Sequence, residues 1–244
     1  MSGLAIELRD VTHRYDDQLV LRGINLRIAA GEIFGFLGHN GAGKTTTINI
    51  LTTLITPTSG SAQVCGHDVV NQRAEVTRCI GYLPAEVRLY GHLSAAENLE
   101  FFAKLSGVVD ARRAVAETLD YLDCADLARK RVGSFSTGMR QRIGIAQAIL
   151  HRPKVLFLDE PTAGLDPGGV RQLRLTIQRL NQDLGMTVFM NTHLLSEVAR
   201  VCTTIGVLNA GELIYKDSIE ATTRRFPDEA SLEDIYVRME TLPS

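Results

Sequence analysis

The chain has 244 residues, 45% of them hydrophobic and 22% charged, with a formal net charge of −2. That suits one larger globular unit, or a core with a subdomain, and the balanced charge points away from a basic face for nucleic acid. The four cysteines (Cys65, Cys79, Cys124 and Cys202) form no CxxC pair, the six histidines form no ligand cluster, and no apolar run nears the ~20 residues that cross a bilayer, so zinc frameworks, disulfide frameworks and membrane-spanning chains are set aside. The opening MSGLAIELRD has no basic segment followed by an apolar stretch, so no secretory signal is expected.

In chain order, LAIELRDV (Leu4 to Val11) and LVLRGINLRI (Leu19 to Ile28) predict two strands joined by a turn near Asp16 and Asp17. EIFGFLG (Glu32 to Gly38) predicts a short buried strand, and KTTTINILTTLI (Lys44 to Ile55) a helix with apolar residues at Ile48, Leu51, Leu54 and Ile55. From about Leu93 to Leu150, apolar residues recur at helical intervals, which predicts an all-helical insert. KVLFLDE (Lys154 to Glu160) is an apolar run suited to a buried parallel strand. A helix over about Val170 to Leu184, a strand MTVFMNT and a helix from Leu194 follow. TTIGVLNAGELIYK predicts a hairpin turning at Asn209 to Gly211, and Ser231 a cap for a last helix, Leu232 to Met239. The strand–helix alternation implies an α/β fold with a mostly parallel sheet.

GHNGAGKTT (Gly38 to Thr46) fits G-x-x-x-x-G-K-[ST], the loop of P-loop NTPases. Gly38, His39, Asn40, Gly41, Ala42 and Gly43 offer backbone N–H groups to phosphate oxygens. Lys44 reaches the terminal phosphates, and Thr45 and Thr46 open the helix, with the Thr45 hydroxyl suited to Mg²⁺. A micromolar site needs about 8 kcal/mol and one charged hydrogen bond supplies ~1.5–3, so Lys44 cannot suffice without the loop. Asp159, ending a buried strand, is the second candidate Mg²⁺ ligand. Glu160 is placed to orient or deprotonate a water attacking the γ-phosphate. His193 follows the strand MTVFMNT, at the end where α/β sheets place ligands. A second phosphate-seeking helix start lies far downstream, at SFSTGMRQRIGIAQAIL (Ser134 to Leu150). There Ser136 can donate to a phosphate oxygen and Gly138 lets backbone approach it.

Taken in order, Tyr15, GHNGAGKTT, STGMRQR, VLFLDEPTAGLDP and NTH resemble the nucleotide-binding subunit of an ATP-binding cassette (ABC) transporter over nearly the whole chain. The resemblance implies an N-terminal antiparallel β subdomain, a cassette over residues 1–222 with a helical subdomain inserted at about 87–151, and a short tail over 223–244 with one helix. It also answers why there are two phosphate-seeking helix starts. In that family the signature loop, matched by FSTGM (Phe135 to Met139), closes over ATP held by a second subunit, so two chains sandwich two ATP molecules. Tyr15 then stacks on adenine, Asp166 signals across the dimer, Glu160 is the catalytic glutamate and His193 the switch histidine. The implied cofactors are ATP and Mg²⁺. The implied partners are a transmembrane permease and a second cassette, identical or paralogous, with no nucleic acid. Membrane contact is through the permease only, on the cytoplasmic side of the cell membrane. The STGMRQR variant resembles exporters whose ATPase is a separate chain; a soluble ABC ATPase acting on nucleic acid or ribosomes is the alternative. Two positions depart from the family: Ala85 and Glu86 follow GYLP where a glutamine is usual, and His39 replaces a common proline.

Overall fold

The computed structural model describes residues 3–192 and 194–241. Strands β1 (Leu4–Tyr15) and β2 (Gln18–Ala29) pair antiparallel. Asp16 turns between them at φ 48°, the left-handed conformation that Asp tolerates. β1 also pairs antiparallel with β4 (Ser59–Val64), which pairs with the two-residue β5 (His67–Asp68), so the first sheet has the order β2-β1-β4-β5. This is the expected antiparallel subdomain.

The second sheet is built from β3 (Ile33–Leu37), β6 (Ile80–Leu83), β7 (Val155–Asp159), β8 (Thr187–Asn191), β9 (Thr204–Asn209) and β10 (Glu212–Ser218), in the order β10-β9-β3-β8-β7-β6. All pairs are parallel except β9 with β10, the hairpin read from the sequence. Every residue of β3, β7 and β8 is buried, so these strands carry apolar residues on both faces. The period of two still sorts them. Phe34, Phe36, Phe157 and Phe189 face one core, shared with Ile6, Leu8 and Ile28 of the first sheet. Leu37, Leu156, Leu158, Val188 and Met190 face the other, shared with the helices. Four rings knit the first core, Phe189 lying 5.3 Å from Phe34, 5.2 Å from Phe36 and 5.5 Å from Phe157.

The helical insert contains α3 (Ala95–Leu105), α4 (Ala111–Tyr121) and α5 (Thr137–Ile149), with 3₁₀ turns at Ala125–Leu127 and Val132–Ser134. α3 opens on a capping box in which Glu97 N–H donates to Ser94 Oγ at 3.2 Å and Ser94 N–H donates to Glu97 Oε2 at 2.7 Å. α5 packs on β6 as well as on α3 and α4, so it joins the insert to the sheet. Three elements carry weak sequence signals: α2 (Arg73–Cys79), β6, and α8 (Ile219–Arg225). α1 (Lys44–Leu51) is shorter than read; Thr53 at φ 65° ends it before Leu54 and Ile55. α6 (Pro167–Leu184) starts earlier than read, because Asp166 caps it and proline is tolerated in a first turn. α7 (Leu195–Val201) and α9 (Leu232–Thr241) follow. Ser231 Oγ accepts from Asp234 N–H at 3.2 Å, the expected cap of α9. Neighbouring parallel strands β3, β8 and β7 end on the same edge of the sheet, at Leu37, Asn191 and Asp159, and the candidate site sits there.

Candidate functional site

The phosphate loop leaves β3 at Gly38 and enters α1 at Gly43, which adopts φ 110°. A Cβ at Gly43 would stand 2.6 Å from Leu21 Cδ2 and 3.3 Å from Val20 O, so β2 presses on the loop and only glycine fits. Gly38 is held as tightly, since its Cβ would meet Leu208 O of β9 at 2.5 Å. The loop closes on itself: Ala42 N–H donates to His39 O at 3.2 Å, and Gly211 N–H reaches Ala42 O at 3.1 Å from the β9–β10 turn. α1 carries no acidic side chain in its own first turn, so its backbone N–H groups are not capped from within the helix. Lys44 is only 6% exposed, and its Nζ donates to Gly38 O at 2.6 Å and to His39 O at 3.1 Å. Burial pushes the Lys44 ammonium below the usual lysine range, opposed by the charges of Glu160 and Asp159. Thr46 is buried beside it, and the His39 ring lies exposed with Nδ1 2.8 Å from Asn40 O.

Asp159 is 5% exposed at the end of β7. Asn191 Nδ2 donates to its Oδ1 at 2.6 Å, and Thr45 Oγ1 reaches the same oxygen at 3.5 Å. No donor among the described residues reaches Oδ2. Burial raises the Asp159 carboxyl above the usual range; the Asn191 amide opposes that, and the charge of Glu160 adds to it. A cleft of about 500 Å³ opens at this point, lined among others by Thr45, Asp159, Tyr82, Ala85, Glu86 and Gln147. A hydroxyl beside a carboxylate with one unengaged oxygen, at the wall of a cleft, is a hard-oxygen donor set that fits Mg²⁺. Burial and the nearby Asp159 push the Tyr82 phenol up to about 12. Glu160 follows in the left-handed region at φ 46°, its N–H donating to Asn191 O at 2.9 Å. A non-glycine residue there carries strain of about 1–3 kcal/mol, held by the surrounding strands.

At the departing position Ala85 lines the cleft, and the adjacent Glu86 directs its carboxylate to Arg88 at 2.8 Å, a pair at the exposed rim. Tyr15 ends β1 with 45% of its surface exposed, its ring in T-shaped contact with His13 at 4.6 Å. His193 lies outside the described residues.

The second helix start is built differently. Ser136 caps α5, its Oγ accepting from Met139 N–H at 3.3 Å, which leaves the hydroxyl proton to donate elsewhere. A Cβ at Gly138 would meet only Leu165 Cδ2 at 3.8 Å, so packing within this chain does not demand glycine there. Ser136 and Gly138 line a separate cleft, about 280 Å³, with Leu165, Gly168 and Gly169 at the start of α6. The two clefts share no lining residue. Asp166 stands beside the second, capping α6 through Gly169 N–H at 2.7 Å. Two residues of this region escaped sequence reasoning. Gln141 Nε2 donates to Pro161 O at 2.7 Å and ties α5 to the loop after Glu160. Asn191 was legible only as a polar residue closing an apolar strand, which burial penalises unless it has partners.

The profile of the ABC transporter family matches residues 21–163, more than half of the chain. The chain belongs to that family. Bacitracin transport ATP-binding protein BcrA of Bacillus licheniformis is 38% identical to this cassette over 91% of the chain and 73% of its own length. Daunorubicin resistance ATP-binding protein DrrA3 of Streptomyces coeruleorubidus is 40% identical over 91% and 72%. Among solved structures, a dimeric ATP-binding cassette in a post-hydrolysis state bound to ADP and Pi superposes with a TM-score of 0.77 and 26% identity, covering 88% of this chain and 98% of its own. The chain is therefore an ATP-binding subunit of the ABC transporter kind and an ATPase. No helix among the described residues is long and apolar enough to cross a membrane.

Proposed function

We propose that this cassette works as one of two, closing over ATP with a second cassette and reopening after hydrolysis, and so drives a transmembrane permease that exports its cargo. The observation that supports the two-chain reading is the pair of separate clefts: Thr45 and Asp159 line one, beside Lys44, while Ser136 and Gly138 line another that shares no residue with it and offer a hydroxyl proton and a bare backbone there. In this reading the loop from Gly38 to Thr46 binds the β- and γ-phosphates, with Lys44 exchanging its two carbonyl partners for phosphate oxygens. Tyr15 stacks on adenine. Thr45 and Asp159 hold Mg²⁺, which neutralises charge on the phosphates when bound. Glu160 accepts the proton of the attacking water, and His193 contacts the γ-phosphate. Asp166, at the head of α6, relays closure between the two sites. Export is supported by the names of the relatives, one of bacitracin transport and one of daunorubicin resistance. The permease places the cassette at the cytoplasmic side of the cell membrane.

The test is Glu160→Gln. It removes the proton acceptor and keeps the shape, so hydrolysis falls by about 10²–10⁴-fold while ATP binding persists and a dimer accumulates on size-exclusion chromatography. Hydrolysis at the parent rate would remove Glu160 from the role of base. A membrane pull-down of the same variant with ATP should retain a polytopic permease; a clean dimer without one contradicts the transport reading.

A further inference from the structure

We propose that Asn191 is the positioning residue of the metal-binding end of the site: its side chain sets which Asp159 oxygen is left for Mg²⁺. This rests on the assignment of Asp159 to the ion made above. Asn191 ends β8 directly opposite Asp159 in the β7–β8 register and is 1% exposed. It engages both acidic residues. Its backbone carbonyl accepts from Glu160 N–H at 2.9 Å, and its Nδ2 donates to Asp159 Oδ1 at 2.6 Å. The second contact is short, as expected where an amide meets an ionised oxygen in a dry setting. It fixes the carboxylate rotamer, and with both donors on Oδ1 the open oxygen is Oδ2.

The other half of the amide carries an independent signal. Asn191 Oδ1 is buried and finds no partner among the described residues. A buried acceptor left bare is costly, and strand ends in native proteins rarely tolerate one. Turning the amide over cannot help, because the oxygen would then face Asp159 Oδ1. The bare oxygen is the cost of keeping Nδ2 turned toward Asp159. Asn191 thus donates to the Asp159 carboxylate through its side chain, while its backbone carbonyl accepts from Glu160 N–H in its left-handed conformation.

The experiment compares the full chain with Asn191→Leu, which keeps the branched shape and the backbone carbonyl but loses the side-chain hydrogen bond to Asp159. Mn²⁺ serves as the probe ion, its binding to the protein–ATP complex read by electron paramagnetic resonance. ATP affinity is measured separately in EDTA. The expected result is Mn²⁺ binding weakened by about tenfold to a hundredfold, the usual cost of losing a partner that orients a metal ligand. ATP affinity in EDTA should stay at the parent value, because the phosphate loop is untouched. Asn191→Ser, too short to reach Asp159, should show the same loss and supplies the reading if the leucine variant does not fold. Unchanged Mn²⁺ affinity overturns the proposal. An equal fall of ATP affinity in EDTA also overturns it, since Asn191 would then support only the strand. Asp159→Asn is measured alongside: if it keeps its Mn²⁺ affinity, the assignment of Asp159 fails and the proposal falls with it.

Discussion

The two helix starts of this cassette, at Gly43 and at Ser136, share a chemistry and differ in who built them. The first is dictated by the chain's own packing: β2 and β9 leave no room for a side chain at Gly43 or Gly38, and Lys44 is folded back onto the loop carbonyls. The second has space to spare. Gly138 would accept a methyl without a clash, and Ser136 keeps a proton to give. A glycine that the fold does not need is free to answer a demand from outside the fold, which the proposed two-cassette arrangement assigns to the phosphates of a nucleotide held by a second cassette.

Alanine at each glycine sharpens the contrast. Gly43→Ala places a side chain at φ 110° and against Leu21, so it should lose both ATP binding and stability. The strain is about 1–3 kcal/mol, and each kcal/mol lowers Tm by roughly 2–4 °C for a chain of this size. Gly138→Ala should leave Tm unchanged or raise it slightly, because alanine favours the helix, yet cut hydrolysis by as much as about a hundredfold through misplaced closure. A Gly138→Ala protein with parent activity would erase the contrast.

A smaller effect separates folding from function at Asp159. Its carboxyl is raised in the folded state, so the ionised form costs stability at neutral pH. The folded chain holds that proton more tightly than the unfolded one, so stability at this group falls as pH rises from the unfolded value toward and past the folded one. Asp159→Asn should therefore melt higher than the parent at neutral pH without Mg²⁺, while hydrolysis is abolished. The gap should narrow as acid protonates Asp159, at a pH above the ordinary carboxylate range. Calorimetry at several pH values checks the sign.

The same division explains what was legible in the sequence. The phosphate loop, Asp159 and Glu160 follow short apolar runs suited to buried strands, so fold and motif point to one place. The three strands ending together are a consequence of parallel pairing, which the alternation of elements already implied. β6 was harder to read because Ile80–Leu83 is four residues long and includes a glycine; its place depends on Ala148 O, which a Cβ at Gly81 would meet at only 2.2 Å. α1 was overread because Thr53 breaks it through backbone conformation, which apolar spacing does not report. Asn191 was missed because its meaning lies in a register, Asp159 opposite Asn191, across 32 residues of chain. Ser136 and Gly138 read from the sequence as part of a second phosphate-seeking helix start, but their assignment to a shared site came only through the resemblance, because nothing in a single chain names its partner.

The most direct measurement of that sharing mixes two inactive chains, Lys44→Ala and Ser136→Arg. Each alone should bury its activity in both sites of its own dimer. If Ser136 serves the partner's nucleotide, the mixed dimer holds one intact site, with Lys44 from one chain and Ser136 from the other. ATPase activity then reappears on mixing, to about a quarter of the parent rate at equal amounts with random pairing. If Ser136 and Lys44 act on the same nucleotide within one chain, every site in the mixture carries a defect and no activity returns, which contradicts the shared site.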